Sequence, residues 1–108
     1  MPYNSYMEVI ESSIFTRLVH RYLDDLEYAS LQWHLVQHPD AGDLIPRSGG
    51  LRKIRWRSRG KGKRGGLRVI YYWRSRAGEI WLLTIYAKSE AADIPLAVLK
   101  ALRKELES

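Results

Sequence analysis

The sequence predicts a small α+β domain: two N-terminal helices packed on an antiparallel sheet, followed by a C-terminal helix. Three observations point there. Apolar residues recur at helical spacing from Ile14 to Val36 and again from Leu96 to Leu106, whereas between Leu51 and Tyr86 they alternate with polar ones at the two-residue period of strands. The tetrapeptide SRAG, Ser75 to Gly78, separates two of these alternating runs as a hairpin turn would. Finally, 108 residues, 45% hydrophobic and 28% charged, suffice for one core and leave little room for a second, so residues 1–108 are read as one domain.

In chain order, YMEVIE (6–11) alternates and suits a short first strand. Ser12 or Ser13 can cap a helix running to about Leu23, with Ile14, Leu18 and either Arg21 or Tyr22 on one stripe. Asp24 or Asp25 can cap a second, whose Leu26, Ala29, Trp33 and Val36 are expected to face inward. His38-Pro39 ends it, because the residue before a proline is pushed out of the helical region. PDAGDLIPRSGG (39–50) reads as irregular. In Leu51–Arg57, Lys53, Arg55 and Arg57 share one face, Ile54 and Trp56 the other. Leu67–Arg74 sets Leu67, Val69, Tyr71 and Trp73 against Arg68, Ile70 and Tyr72. Glu79–Tyr86 is the partner strand, and the face taken by Tyr86 depends on a register that alternation does not settle. The last helix begins near Pro95, with Leu96, Leu99, Leu102 and Leu106 as a core-facing stripe. Helices then cover one sheet face, and the other shows Lys53, Arg55, Arg57 and Arg68 to solvent.

Composition excludes several classes of function. Without Cys there are no disulfides, Cys-based zinc sites or thiol nucleophiles. The opening MPYNSYMEVIESS has no basic run followed by an apolar one, so it is not a signal peptide. No apolar stretch approaches the roughly 18 residues of a membrane span, and a cytoplasmic protein is expected. The net charge is 18 − 12 = +6, unevenly spread. No acidic residue occurs from Leu44 to Gly78, and residues 52–76 hold eleven of the eighteen Lys and Arg. So much like charge in one place is unfavourable unless an anion is held there, which implies nucleic acid or an anionic membrane surface.

Gly60, Gly62 and Gly65 satisfy G-x-G-x-x-G, but a strand follows where a dinucleotide site needs a helix, and no Gly-Lys-Ser/Thr closes a Walker loop. GKGKRGG reads instead as a basic loop between strands. Arg52, Arg57, Arg59, Lys61, Lys63 and Arg64 are its phosphate contacts, with Tyr72 and Tyr86 the aromatics able to reach the basic face. His34 and His38, four apart on the second helix and followed by Asp40 and Asp43, make half a metal site without a third helical ligand, so no metal is expected. No Ser-His-Asp set can be assembled, and no carboxylate lies inside the basic segment.

A cationic face of this kind suits one reaction that needs no metal: attack of an RNA 2′-hydroxyl on its own 3′ phosphate. The reaction requires a base for the hydroxyl, cations for charge building on phosphorus, and an acid for the leaving 5′ oxygen. Arginine fills the second role, being always charged and able to grip phosphate with two donors. A lysine crowded by cations has its charged form disfavoured, so a Lys, or a Tyr beside Arg, can act as the base.

The order of elements, with GGLRKIR, GKGKRGG, LRVIYY and YAKSE in sequence, resembles the HigB branch of the RelE/ParE toxin superfamily. The likeness spans about Gly49 to Asp93 and is weaker in the N-terminal helices; four ordered motifs at family-like spacing are specific where a lone basic loop is not. It implies a microbial-RNase-like sheet and a ribosome-dependent mRNA endonuclease that works in the ribosomal A site without a cofactor. The implied partners are message and ribosomal RNA, and a cognate HigA-like helix-turn-helix antitoxin that neutralises a monomeric toxin. By motif, Arg68 matches the phosphate-stabilising arginine, Lys53 and Arg55 the basic positions of the active strand, and Lys88 the basic residue ending the last strand, with Tyr86 beside it. Lys61, Lys63 and Arg64 would contact ribosomal RNA or message. Some relatives use a His and an acidic residue as acid and base on this face, and neither is present here. The resemblance therefore leaves Lys53 or Lys88 as base, Arg68 as stabiliser, and Tyr86 or another cation near the leaving group. Two other readings stay open: a ParE-like DNA gyrase poison that cuts no RNA, and a non-catalytic module that binds ribosomal RNA.

Overall fold

The computed structural model describes residues 7–57 and 66–107. Local capping decides where the first helices begin. The Ser12 hydroxyl accepts the Phe15 N–H at 3.0 Å and starts α1 (Ser13–Tyr22). Asp24 and Glu27 form a reciprocal capping box that starts α2 (Asp25–Gln37), which ends at His38 before Pro39. Around these run β1 (Glu8–Glu11), β2 (Asp43–Leu44), β3 (Arg52–Trp56), β4 (Leu67–Arg74), β5 (Glu79–Ala87) and α3 (Leu96–Glu105). SRAG is the β4–β5 turn, a 3₁₀ turn closed by Gly78 at φ +67°, a left-handed conformation that suits glycine.

The strands form one sheet in the order β1-β5-β4-β3-β2. β2 to β5 pair antiparallel, but β1 lies parallel to β5, so the sheet is mixed where a wholly antiparallel one was expected. Alternation marks a strand without naming its neighbour or direction. β2, short and exposed, emerges from the stretch read as irregular.

The expected alternation of β3 and β4 holds: Ile54, Leu67, Val69 and Tyr71 join α1 and α2 in one core. The stripe of α2, however, is rotated from expectation. Tyr28, Leu31 and Leu35 are buried, while Leu26 and Trp33 are 84% and 63% exposed and Ala29 also faces solvent. This helix carries two apolar stripes, and the winner is the one whose Tyr28 hydroxyl also donates to the Glu11 carboxylate on β1. In α1, Phe15 and Val19 join Tyr22 in the core, leaving Ile14 at the surface and Leu18 half-buried.

The larger correction concerns the second sheet face, expected to be open. Leu99 and Leu102 of α3, with Leu106 just after it, pack there on Leu51, Ile70 and Leu83. These apolar sheet residues need cover, so helices sit on both faces; Arg55 stays exposed at one end, while Arg68, expected at the surface, is buried between its neighbouring strands.

Tyr71 anchors the β2–β3 side. Fully buried, its hydroxyl donates to the Pro39 carbonyl at 2.7 Å and accepts the Gly42 N–H at 2.8 Å. Tyr71→Phe should cost about 1–3 kcal/mol in urea unfolding, because it strands a buried N–H. Gly42→Ala should also destabilise, since its Cβ would lie 2.8 Å from the Tyr71 ring.

Candidate functional site

A β-bulge assembles the site. Ile70 pairs with Thr84 and Tyr71 with Leu82, leaving Leu83 as an extra residue on β5. The extra residue reverses the alternation: Ile80 and Leu82 face α1 and α2, then Ile85 and Ala87 do so, and Tyr86 turns to the α3 side. There it lies opposite Arg68, which lies opposite Arg55. Arg55, Arg68 and Tyr86 thus form a row across β3, β4 and β5. Two like charges directly opposite one another are unfavourable in a sheet, and an anion between them removes that cost.

Lys53 and Ile70 form the adjacent row. The Lys53 ammonium donates to the Asp93 carboxylate at 2.8 Å, the acidic partner that the basic segment itself lacks. Asp93 comes from the lead-in to α3, where Glu90 folds the chain back by accepting the Ala87 N–H at 3.0 Å and the Tyr22 hydroxyl at 2.6 Å. The hydrogen bond and charge of Lys53 hold the Asp93 carboxyl below its usual value of 3.8. A depressed folded pKa contributes stability above the unfolded value and loses it as pH falls through the folded one. The Asp93 carboxyl resonance should accordingly titrate below 3.8 in NMR and move up in Lys53→Met.

Lys53, Asp93 and Tyr86 line an open pocket of about 230 Å³, walled by Ile94, Leu96 and Arg47. The Tyr86 hydroxyl is buried there and has no hydrogen-bond partner among the described residues. Burial raises its pKa above 10.0; Lys53 and Arg68 oppose the rise, and Asp93 adds to it. A protonated phenol thus lies buried beside a cationic pocket, with no hydrogen-bond partner among the described residues.

The other expected site residues are distributed as follows. Lys88 is exposed just past β5, at the Arg68 end of the sheet, its N–H donating to the Gly66 carbonyl at 3.1 Å. Arg57 is exposed beyond β3 at the same end. Arg52 is elsewhere: its guanidinium donates to the carbonyls of Asp40 and Gly42, bracing the turn into β2. Tyr72 is also apart from the row, about 13 Å along β4 from Arg68 and beneath the Arg103 guanidinium, 4.6 Å from its ring centroid. Arg59, Lys61, Lys63 and Arg64 lie outside the described residues. His34 and His38 face each other with ring centroids 5.3 Å apart, His34 also against Trp56, and no metal-holding group of His, Asp and Glu forms among the described residues.

Sequence reasoning missed Asp93, which stands outside the basic segment. The signal was indirect: once the α3 stripe needs a sheet face to cover, the residues leading into α3 must cross that face's end.

No known family's sequence profile matches the chain. Among solved structures, the Escherichia coli toxin RelE, as a double mutant in the free state, aligns over 93% of this chain and 98% of its own, with a TM-score of 0.56 and 13% identity. The fold is RelE-like. A conserved hypothetical protein of Helicobacter pylori, solved in solution, aligns over 78% of this chain and 97% of its own, with a TM-score of 0.52 and 14% identity. The likeness is one of architecture: three helices on a five-stranded mixed sheet. No helix is long and apolar enough to cross a membrane among the described residues.

Proposed function

We propose that this RelE-like protein is the toxin of a toxin–antitoxin pair, a HigB-type endoribonuclease that cuts message in the ribosomal A site. The observation that carries the proposal is the Arg55–Arg68–Tyr86 row, with its buried and uncommitted phenol proton. Arg68 and Arg55 grip the scissile phosphate and absorb the charge that builds on it. Tyr86, its pKa raised by burial, keeps its proton at neutral pH and gives it to the leaving 5′ oxygen. Lys53, held as the donor to Asp93, adds fixed positive charge. Lys88, at the open end, takes the 2′-hydroxyl proton when its amine is uncharged. No second base stands in the row, so the ribosome's part is to bend the message until its 2′-hydroxyl is in line with the phosphorus.

The surplus of positive charge on this face also calls for a neutralising partner in the cytoplasm, a HigA-like antitoxin that covers the face or keeps the monomeric toxin off the ribosome. The deciding experiment is cleavage of a defined message by purified protein, with and without ribosomes holding a chosen codon in the A site. Cuts that appear only with ribosomes establish the nuclease. Intact message together with inhibited gyrase supercoiling would assign the protein to the ParE-like branch instead.

A further inference from the structure

The pocket beside Tyr86 does not end at Arg47. Arg47 lines it on one side and on the other lines a second cleft, formed by the loop 47–50 and the outer surface of α3. Lys100 and Lys104 stand on that surface, both exposed, and none of the three cations enters an ion pair among the described residues. Arg103, between the two lysines in sequence, is used internally: it donates to the Gly49 carbonyl at 2.9 Å, meets Glu107 at 3.5 Å and covers Tyr72. Glu107, the acidic residue on this rim, is therefore already matched.

Two features make the arrangement costly for the free protein. Lys100 and Lys104 are an i,i+4 pair of like charge, which weakens a helix. Position in the last turn accounts for Lys104, because cations there complement the helix dipole, but not for Lys100 in mid-helix. Arg47 has φ +62°, a conformation that favours glycine and that, when held by another residue, marks functional sites. A bound anion compensates the first of these, and the second marks Arg47 as a position to test.

We propose that the Arg47–Lys100–Lys104 cleft is a second phosphate-binding subsite, holding the RNA backbone as it leaves the Tyr86 pocket. The proposal rests on the nuclease reading for the identity of the strand. From Leu96, which walls the first pocket, to Lys104 is about 12 Å along α3. That separation corresponds to roughly two to four nucleotides of strand. RNA is favoured over an acidic protein segment because Arg47 makes the cleft continuous with the row that faces phosphate.

The test uses 2′-O-methyl RNA, which binds but cannot be cut, and the full chain. In NMR a dinucleotide, with a single phosphate, should shift the amides around Arg68 and Tyr86 alone, whereas a nonanucleotide should also shift those of Arg47, Lys100 and Lys104. By fluorescence anisotropy, the K100A/K104A variant should bind the nonanucleotide about tenfold more weakly, with the slope of log K against log salt reduced by about 1.4, the value for two lost single-strand contacts. Alanine at two exposed helix positions preserves the fold. Arg47→Gly, which keeps the backbone conformation, should weaken binding in the same direction. Equal affinity and slope for wild type and K100A/K104A would overturn the proposal, as would an acidic peptide shifting the Lys100 and Lys104 amides where RNA does not. If the nonanucleotide behaves as expected while no message is cut on ribosomes, the subsite stands and the nuclease reading fails. If ribosomal cleavage occurs and K100A/K104A binds as wild type, the reverse holds.

Discussion

Arg68→Ala is expected to abolish message cleavage on the ribosome, with a loss of about 10²–10³ or more in rate, while ribosome association changes little. The size follows from where the guanidinium sits. It is only 6% exposed, in the centre of the Arg55–Arg68–Tyr86 row, so in the proposed reaction its charge would act on the phosphate through little water. Removing one preorganised donor from such an environment typically costs about 2.7–4 kcal/mol of transition-state stabilisation. Ribosome affinity is spread over many cations, of which this buried one is a small part. The substitution relieves the opposition of Arg55 and Arg68 across the strands and gives up the 3.2 Å bond from Arg68 to the Leu67 carbonyl, opposing effects that leave a modest net change in stability. Arg68→Lys separates charge from geometry: it keeps the charge but not the two-pronged grip, and should recover only part of the rate. Single-turnover cleavage at a defined codon, ribosome co-sedimentation and a thermal melt together check this. Wild-type cleavage by Arg68→Ala would remove Arg68 from the mechanism. Affinity lost in step with rate would favour a binding module over a nuclease.

Much of this architecture is legible in the sequence, and what is not has identifiable physical causes. Strict alternation marks the faces of β3 and β4, and it correctly puts Ile54, Val69 and Tyr71 in the core with Arg55 and Arg68 opposite them. Alternation cannot place Tyr86, because one bulge residue, Leu83, reverses the pattern after it, and no local feature of LLTIY announces a bulge. The stripe of α2 is ambiguous for another reason. Leu26, Ala29, Trp33 and Val36 satisfy helical spacing as well as Tyr28, Leu31 and Leu35 do, and tertiary contacts such as those of Tyr28 with Glu11 and Phe15 separate them. Asp93 and the covering of the second face by α3 share one cause. Both depend on which layer a C-terminal helix joins, a long-range choice that its leucine stripe leaves open. Spacing places Arg55 and Arg68 on one face of the sheet, whereas Arg52 braces backbone carbonyls, a use of arginine that composition cannot distinguish from phosphate binding.

Tyr86→Phe should separate stability from activity, making the protein at least as stable as the wild type while lowering cleavage by about 10²-fold or more. The substitution removes one atom, and that atom is buried without a hydrogen-bond partner among the described residues. A stranded buried hydroxyl carries a desolvation cost of about 1–3 kcal/mol, so losing it is neutral or favourable to folding, and the ring's packing is unchanged. Loss of a general acid, by contrast, typically costs 10²–10⁴-fold in rate. pH adds an independent check. Burial raises the Tyr86 pKa above 10.0, so the folded state holds this proton more tightly than the unfolded chain does. That contribution is fully present below pH 10 and is lost as pH rises through the folded pKa. The unfolded wild type gains the ionised phenolate in that range and the Phe variant does not, so the stability advantage of Tyr86→Phe should widen above pH 10. Urea unfolding at neutral and alkaline pH, alongside ribosomal cleavage assays, measures both sides. A variant that is markedly less stable would mean that the hydroxyl holds a bond within the protein. One that is stable and fully active would mean that the proton for the 5′ oxygen comes from a cation in the row.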